Sequence, residues 1–456
     1  MQVDVLVIGS GQAGVPLATR LAESDKKVLL VERRNLGGTC VNYGCTPTKT
    51  MVASARAAYV ARRAGRLGVR TGEVHVDLSA VVDRKNEIVR QWRSGVQGRL
   101  EGQPDNLQWR QGHARFVGPR EVDVNGETHA AEWVIINTGA RHVHPNLPGL
   151  DEVPALDNAS IMELRQVPEH LIVLGGGYIA SEFGQMFRRF GAEVSIVQRV
   201  DHLIGREDPD IAGALEQAFR DEGIRLWLGR EGKSVHQRAG RIVLELTDGT
   251  KLEGSHLLVA VGRQPNTDSL GCEAAGIQLG SRGEIVVDDH YRTSTPGVYA
   301  VGDVLGGPQF THTSWDDHRI LYDHLTGRST KGRGGRLVPY TVFTDPQVAR
   351  VGLSEEEAKQ AGIPYEVATL PYASIARAIE VDETAGLMKL LIDPKTEKIL
   401  GAAMVGLEAG ELIHIFVALM QAGSTARPLV DVQAVHPTLA EGVQSLVMSL
   451  ERYALP

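Results

Sequence analysis

Cysteine is scarce in this chain: three among 456 residues. So few thiols cannot frame a disulfide-stapled secreted domain, and a chain this long buries enough core to need none. Long apolar runs are absent as well. Nothing approaches the roughly 20 residues that cross a bilayer, so no membrane association is expected. Basic residues are outnumbered, 48 against 56 acidic, for a net charge of -8, which argues against a nucleic-acid partner. The start, Met1-Gln2-Val3-Asp4 with no Lys or Arg before Arg20, does not read as a signal peptide. A reducing, cytoplasmic setting is expected. The charged run Arg56, Arg62, Arg63, Arg66 and Arg70 has the spacing of a solvated helix face.

What remains is an ordinary globular composition, 42% apolar and 23% charged, with room for two or three domains. Val3 to Ile8 is a short apolar run of the kind buried on both faces of a parallel sheet. Gly9-Ser10-Gly11-Gln12-Ala13-Gly14 follows, then a helical stretch to about Ser24 and a second apolar run, Val28 to Val31, ending in Glu32. Gly9, Gly11 and Gly14 suit a tight turn, close approach to a pyrophosphate and helix–strand packing, and Glu32 sits where a carboxylate meets ribose hydroxyls. The unit repeats at Leu171 to Leu174, Gly175-Gly176-Gly177-Tyr178-Ile179-Ala180 and Val194 to Val197. Two copies imply two dinucleotide-binding domains in tandem. In the second copy Gln198 replaces the acid, with Arg199 and Arg206 near by. A neutral side chain beside guanidinium groups suits a 2′-phosphate, so NADPH is expected over NADH. Gly327 to Arg336 reads as a linker, after which an α+β pattern without a glycine fingerprint runs through Met388–Ile392 and Glu411–Gln421.

Two of the three cysteines fall in Gly37-Gly38-Thr39-Cys40-Val41-Asn42-Tyr43-Gly44-Cys45-Thr46-Pro47-Thr48-Lys49. Five residues of helix rise about 7.5 Å, whereas a disulfide needs Cα atoms about 4.4–6.8 Å apart. Cys40 is therefore expected in an irregular turn feeding a helix that begins near Cys45, with Pro47 in its first turn. There a Cys45 thiolate gains from the helix N-terminus and from Lys49 on the same face. A zinc site would need further ligands that the segment lacks, so no metal is expected. Cys272, in Gly271-Cys272-Glu273-Ala274, reads as a buried small hydrophobe.

This segment resembles the redox motif of the class I pyridine nucleotide–disulfide oxidoreductases, which include glutathione reductase, dihydrolipoamide dehydrogenase and mercuric reductase. Both fingerprints, the strand ending in Asp303 and His436-Pro437-Thr438-Leu439-Ala440-Glu441 carry the resemblance along the whole chain. It implies an α/β fold of two Rossmann-like domains, for FAD and NAD(P)H, with a C-terminal α+β dimerisation domain. The segments would be 1–148 and 269–335 for FAD, the second including the linker, 149–268 for NAD(P)H, and 336–456 for dimerisation. The resemblance implies a homodimer with shared sites and the following roles. Glu32 and Asp303 would hold FAD; Cys45 would face the flavin while Cys40 attacks substrate. Lys49 would pair with Glu182, Tyr178 would gate the nicotinamide pocket, and His436, held by Glu441, would serve the other subunit's sulfurs as acid and base. Thr39, Ala114, Thr138, Gly139, Gly175, Gly177, Ile179 and Gly262 would be further cofactor contacts.

The substrate stays open. At the positions where the glutathione branch has Ser and Arg this chain has Gln12 and Thr19, and the tail 448–456 has no vicinal cysteine pair of the mercuric-reductase kind. Cys45 to Thr50, Phe310 to Asp317 and Phe343 to Ala349 nevertheless look most like mercuric-reductase-like proteins and the related reactive-chlorine-resistance flavoproteins. A disulfide, a small oxidant or a metal ion is the expected small-molecule substrate. The alternatives are a dihydrolipoamide dehydrogenase of a multienzyme complex and, in another class, a redox-inactive flavin-binding interaction protein.

Overall fold

The computed structural model describes residues 2–103 and 105–453. The chain divides into two units, Met1–Thr50 with Ala80–Val143 and Gly262–Arg336, and Met51–Ser79 with His144–Val261 and Leu337–Pro456. The four-segment partition expected from the sequence remains a proposal.

In the first unit β1 (Gln2–Ile8) leads through α1 (Gly14–Ala22) to β2 (Val28–Glu32). The helices and strands that follow in the chain are α2 (Gly38–Asn42), α3 (Cys45–Arg63), α4 (Leu78–Glu101), β3 (Leu107–Gln111), β4 (Ala114–Gly118), β5 (Glu121–Val124), β6 (Glu127–Ile136) and β7 (Ala140–His142), with residues 51–79 of α3 and α4 counted in the second unit. Strands β3-β2-β1-β6-β5-β4 form a seven-stranded sheet whose last member, Val298–Ala300, pairs with β6. β1 lies parallel to β2 and β6, Val7 against Leu30 and Ile135. On the edge away from β1, β6 serves two partners: its alternating start pairs antiparallel with β5, and its buried end, Val134–Ile136, runs parallel to Val298–Ala300. That change from alternation to continuous apolar residues is what burial on one face and then on both requires. The carboxyl ends of β1, β2 and β6 thus open on one crevice, where open parallel sheets bind ligands.

The expected linker is fastened to this unit. Gly334 donates its N–H to Asp289 at 2.6 Å and Arg336 pairs with Asp317 at 2.7 Å. Its turn-rich composition serves close packing, since a Cβ at Gly332 would run into Asp289.

The second unit repeats the pattern with β8 (His170–Leu174), α5 (Tyr178–Phe190), β9 (Glu193–Gln198) and β10 (Arg225–Leu228). They form a four-stranded parallel sheet, β10-β9-β8 and then His256–Val259. A separate five-stranded antiparallel sheet of residues 340–406 packs Met388, Leu390 and Met404 against Phe416 and Leu446 of the helices Ala409–Gln421 and Leu439–Met448. Among the described residues no helix is long and apolar enough to cross a membrane.

The arginine run is a solvated face only in part: Arg62, Arg66 and Arg70 are exposed, but several of the run are paired. Arg56 pairs with Asp345 and Glu383, Arg63 with Asp382 and Glu383, and Arg66 with Asp382. Charge spacing locates one face of a helix but cannot reveal that acids more than 280 residues away in sequence come to meet it.

Candidate active site

At the first glycine turn the backbone is forced. Gly9 has φ +104°, and a Cβ there would strike the Asn137 carbonyl; only glycine fits both demands. Asn137, just past β6, accepts from Gly14 N at 2.9 Å with its amide assigned so that both ends are satisfied, tying the turn to the neighbouring strand. Glu32 closes the turn from β2: one carboxylate oxygen accepts from Ser10 N at 3.0 Å and Ser10 Oγ at 2.8 Å, the other from Arg34 N at 2.8 Å. A Cβ on Gly38 would come within 2.7 Å of the Gly11 Cα, so the glycine turn and the start of the cysteine segment are in contact.

Asp303 follows Val298–Ala300 and sits 3.3 Å from Arg263. Burial pushes its carboxyl up and Arg263 opposes the shift. Around the same strand ends, Thr138 Oγ1 and Arg263 Nε are buried without a hydrogen-bond partner. Such polar atoms are costly unless something satisfies them, and a ligand rich in ribose, ribityl and phosphate oxygens does so. A Cβ-excluding turn, a carboxylate at Glu32 and these orphaned donors fit FAD. Thr39 and Gly139 belong to the same unit, as do Ala114, buried at the start of β4, and Gly262, whose carbonyl accepts from Val143 N at 2.9 Å.

The sulfurs sit where this turn meets two helices. Cys40 lies inside the short helix α2, not in an irregular turn. The break falls later, at Tyr43 (φ −142°) and Gly44, before Cys45 opens α3. The distance argument required a break between the cysteines but could not say where. Cys45 Sγ is 3.2 Å from Thr311 Oγ1, at the N-terminus of the helix Thr311–Leu325. The Cys45 sulfur beside it, with burial second, raises the Cys40 thiol well above the ordinary range, and Thr311 partly offsets this. Cys45 itself opens α3 and faces the start of the helix Thr311–Leu325, where the partial positive charge of a helix N-terminus favours an anion. Lys49 follows in α3. Cys272 is buried in the apolar cluster around Phe116 and Val298.

In the second unit Gly175 has φ +115° and no room for a Cβ beside the Ala260 carbonyl. Gly177 precedes α5, which begins Tyr178-Ile179. Gln198 ends β9 against Gly176, where a Cβ would meet its side chain at 2.8 Å, and Arg199 and Arg206 are exposed. Glu182 is buried in α5 and accepts from Phe343 N at 2.8 Å. His436 places Nδ1 3.0 and 3.1 Å from the two oxygens of Glu441. Glu441 is fixed in the first turn of its helix, which Thr438 caps through Glu441 N at 3.1 Å.

The structure therefore gathers Gly9, Gly11, Gly14, Glu32, Thr39, Cys40, Cys45, Lys49, Ala114, Thr138, Gly139, Gly262 and Asp303 in one unit. Gly175, Gly177, Tyr178, Ile179, Glu182, Gln198, Arg199, Arg206, His436 and Glu441 fall in the other. Sequence reasoning missed Ser10, Asn137, Arg263 and Thr311. The stretch Phe310 to Asp317 carried a resemblance but no spacing that singled out Thr311.

Similarity to known proteins agrees with this geometry. The family profile described as pyridine nucleotide-disulphide oxidoreductase matches residues 3–317, and its dimerisation-domain profile matches 338–447. The chain is 37% identical over 450 residues to the probable pyridine nucleotide-disulfide oxidoreductase RclA of Escherichia coli (strain K12), covering 97% of this chain and 98% of that one. It is 36% identical over 452 residues to a mercuric reductase of Bacillus cereus, covering 98% of this chain and 72% of the relative. A dihydrolipoyl dehydrogenase of Thermus scotoductus is 34% identical over 459 residues, 99% and 98% of the two chains. The solved structure of the HOCl-induced flavoprotein disulfide reductase RclA from Escherichia coli superposes with a TM-score of 0.90 at 36% identity, over 97% of this chain and 99% of that one.

Proposed function

The chain belongs to the pyridine nucleotide–disulphide oxidoreductase family of flavoprotein enzymes, and we propose that it is an NADPH-dependent reductase acting on a small oxidised substrate through Cys40 and Cys45. Its dimerisation domain supports a homodimer. The observation that carries the reading is the placing of the two sulfurs: Cys40 in the short helix α2, and Cys45 at the start of α3 with its sulfur 3.2 Å from Thr311 at the start of another helix.

The Gly9–Gly14 turn, Glu32 and Asp303 would hold FAD, which would supply the two-electron link between nicotinamide and disulfide. The chain's own groups do the rest. Two electrons and two protons convert the Cys40–Cys45 disulfide into a dithiol. His436 of the partner subunit takes the proton from Cys40, which the Cys40 environment makes necessary, and Glu441 holds that imidazole in orientation. The Cys40 thiolate attacks a substrate disulfide, forming a Cys40–substrate mixed disulfide; the leaving thiolate takes the proton from the histidine. Cys45 then attacks the Cys40 sulfur, releasing the second thiol and restoring the disulfide. Lys49 would pair with Glu182 beside the flavin, and Tyr178 would cover the nicotinamide. Arg199 and Arg206 would take the 2′-phosphate that Gln198 does not repel.

Replacing Cys40 with Ser tests the reading: NADPH should still reduce the flavin while turnover of substrate disappears, and unchanged turnover overturns it. A panel of disulfides, hypochlorous-acid products, Cu(II) and Hg(II) identifies the substrate. The mercuric reductases and the Cu(II) complex of RclA make the metal ions a specific arm of that panel. Rapid NAD-dependent oxidation of dihydrolipoamide would favour the dehydrogenase alternative instead. Membership of an enzyme family leaves the redox-inactive interaction protein without support.

A further inference from the structure

The loop 199–208 joins β9 to the helix Pro209–Asp221 and carries both arginines assigned above to the 2′-phosphate. It is fastened at two places. Beside the second fingerprint, Ile204 takes a positive φ of 44° and donates its N–H to the Gly176 carbonyl at 2.7 Å. The Leu203 N–H goes to Glu216 at 2.9 Å. A few residues on, Glu207 and Asp208 are buried among C-terminal residues. Tyr340 donates its hydroxyl to Glu207, and Arg350 Nε lies 3.3 Å from the second carboxylate oxygen, an ionic contact without a hydrogen bond. Asp208 accepts the N–H groups of Glu355 and Glu356 at 3.1 and 3.2 Å and meets Lys389 at 3.2 Å, and Lys389 also reaches Asp210 at 2.9 Å.

Glu207 and Arg350 are only 5% and 4% exposed. Withdrawing such charges from water costs several kcal/mol each, and buried ion clusters often return no more stability than apolar side chains would. A cluster of this kind does fix position, because a displaced charge loses its compensation. What it fixes here is the peptide 204–208. Arg206 N donates to the Ile204 carbonyl at 2.6 Å and Glu207 N to the same carbonyl at 2.9 Å, so the peptide between the Gly176 contact and the Glu207 anchor has little slack.

We infer that Glu207 is a positioning residue for the nicotinamide nucleotide: its buried contacts with Tyr340 and Arg350 hold Ile204 on the Gly176 turn and Arg206 in register with it. Nucleotide affinity is thereby set in part by the C-terminal α+β region. The inference rests on the proposed NAD(P)H-dependent function and deepens it.

The test uses the FAD-loaded enzyme and anaerobic rapid mixing with NADPH, reading the nucleotide concentration that half-saturates flavin reduction, the limiting rate, and the KM for 5,5′-dithiobis(2-nitrobenzoate). Glu207→Gln should raise the half-saturating NADPH concentration by about fivefold or more, leave the limiting rate within about twofold, and leave the disulfide KM unchanged. Tyr340→Phe, which removes one hydroxyl and no charge, should shift the same quantity in the same direction and carries the test where Glu207→Gln does not fold. A folded variant with unchanged half-saturation overturns the inference, as does a loss in which limiting rate, disulfide KM and thermal midpoint fall together. A wild-type flavin that neither NADPH nor NADH reduces overturns the proposed function instead.

Discussion

Replacing His436 with Ala separates the two halves of the catalytic cycle. In the proposed cycle flavin reduction by NADPH does not use this histidine, whereas the attack of Cys40 on substrate does, because the neighbouring Cys45 sulfur and burial raise the Cys40 thiol. Positioned acid–base groups contribute about 10²–10⁴-fold, so the oxidative half-reaction should fall by that factor while the reductive half stays within about twofold. Glu441→Gln is the finer probe. Its two contacts to Nδ1 are 3.0 and 3.1 Å, but the histidine side chain is 67% exposed and the glutamate 32%. A buried charged hydrogen bond is worth about 1.5–3 kcal/mol and an exposed pair about 0.2–1 kcal/mol. Solvent puts this pair near the lower range, about 1 kcal/mol, which is a loss of about fivefold in the oxidative rate. Rapid mixing with NADPH, then reoxidation of the reduced enzyme by 5,5′-dithiobis(2-nitrobenzoate), measures both halves. An unchanged oxidative rate in His436→Ala, or an equal loss in both halves, would refute the reasoning.

Mixing Cys40→Ser with His436→Ala subunits should restore about a quarter of wild-type turnover, since each hybrid dimer keeps one intact shared site; no recovery after verified subunit exchange rules out a shared site. Arg199→Ser with Arg206→Ser should raise the KM for NADPH by about tenfold and spare NADH, and an equal rise for both nucleotides would show that the arginines do not read the 2′-phosphate. Arg189→Leu takes from Glu222 and Asp345 a partner at 2.7 and 2.6 Å but leaves them Gln185 and Arg56, so denaturant unfolding should show a loss of about 1.5–3 kcal/mol; no measurable loss contradicts the burial argument. Burial lowers His318 from 6.5 to about 4. Below pH 6.5 the unfolded chain binds the proton first, so the His318 contribution is complete above 6.5 and drains away as pH falls toward 4. His318→Gln should flatten stability against pH over that window by up to about 3 kcal/mol, and an unaltered slope would count against the shift.

The parallel strands and glycine turns were legible because their causes are local. Val3 to Ile8 is apolar on both faces except at Asp4, and Gly9 and Gly175 each take the positive φ that a glycine fingerprint announces. His436 and Glu441 were legible for the same reason, five residues apart across a helix start. Asn137 was not. Its side chain matters because β6 lies beside β1, a pairing of residues about 130 apart that no window along the chain contains. Thr311 is 266 residues from Cys45 in the same way.

The arginine run shows why such failures concentrate on charge. An apolar residue at a helical spacing declares that it is buried, and any apolar neighbour will serve; a charged one declares nothing until its partner is known. Arg56 and Arg63 look identical on paper to solvated side chains, yet Asp345, Asp382 and Glu383 meet them. Glu207 and Lys389 make the same point from the other side, as charges that the composition counts toward solubility and the fold keeps out of water. α3 joins the two cases, because the helix that opens at Cys45 continues into the segment whose arginines are paired in this way. Ionic contacts of this sort, rather than the redox motif itself, are where the sequence says least.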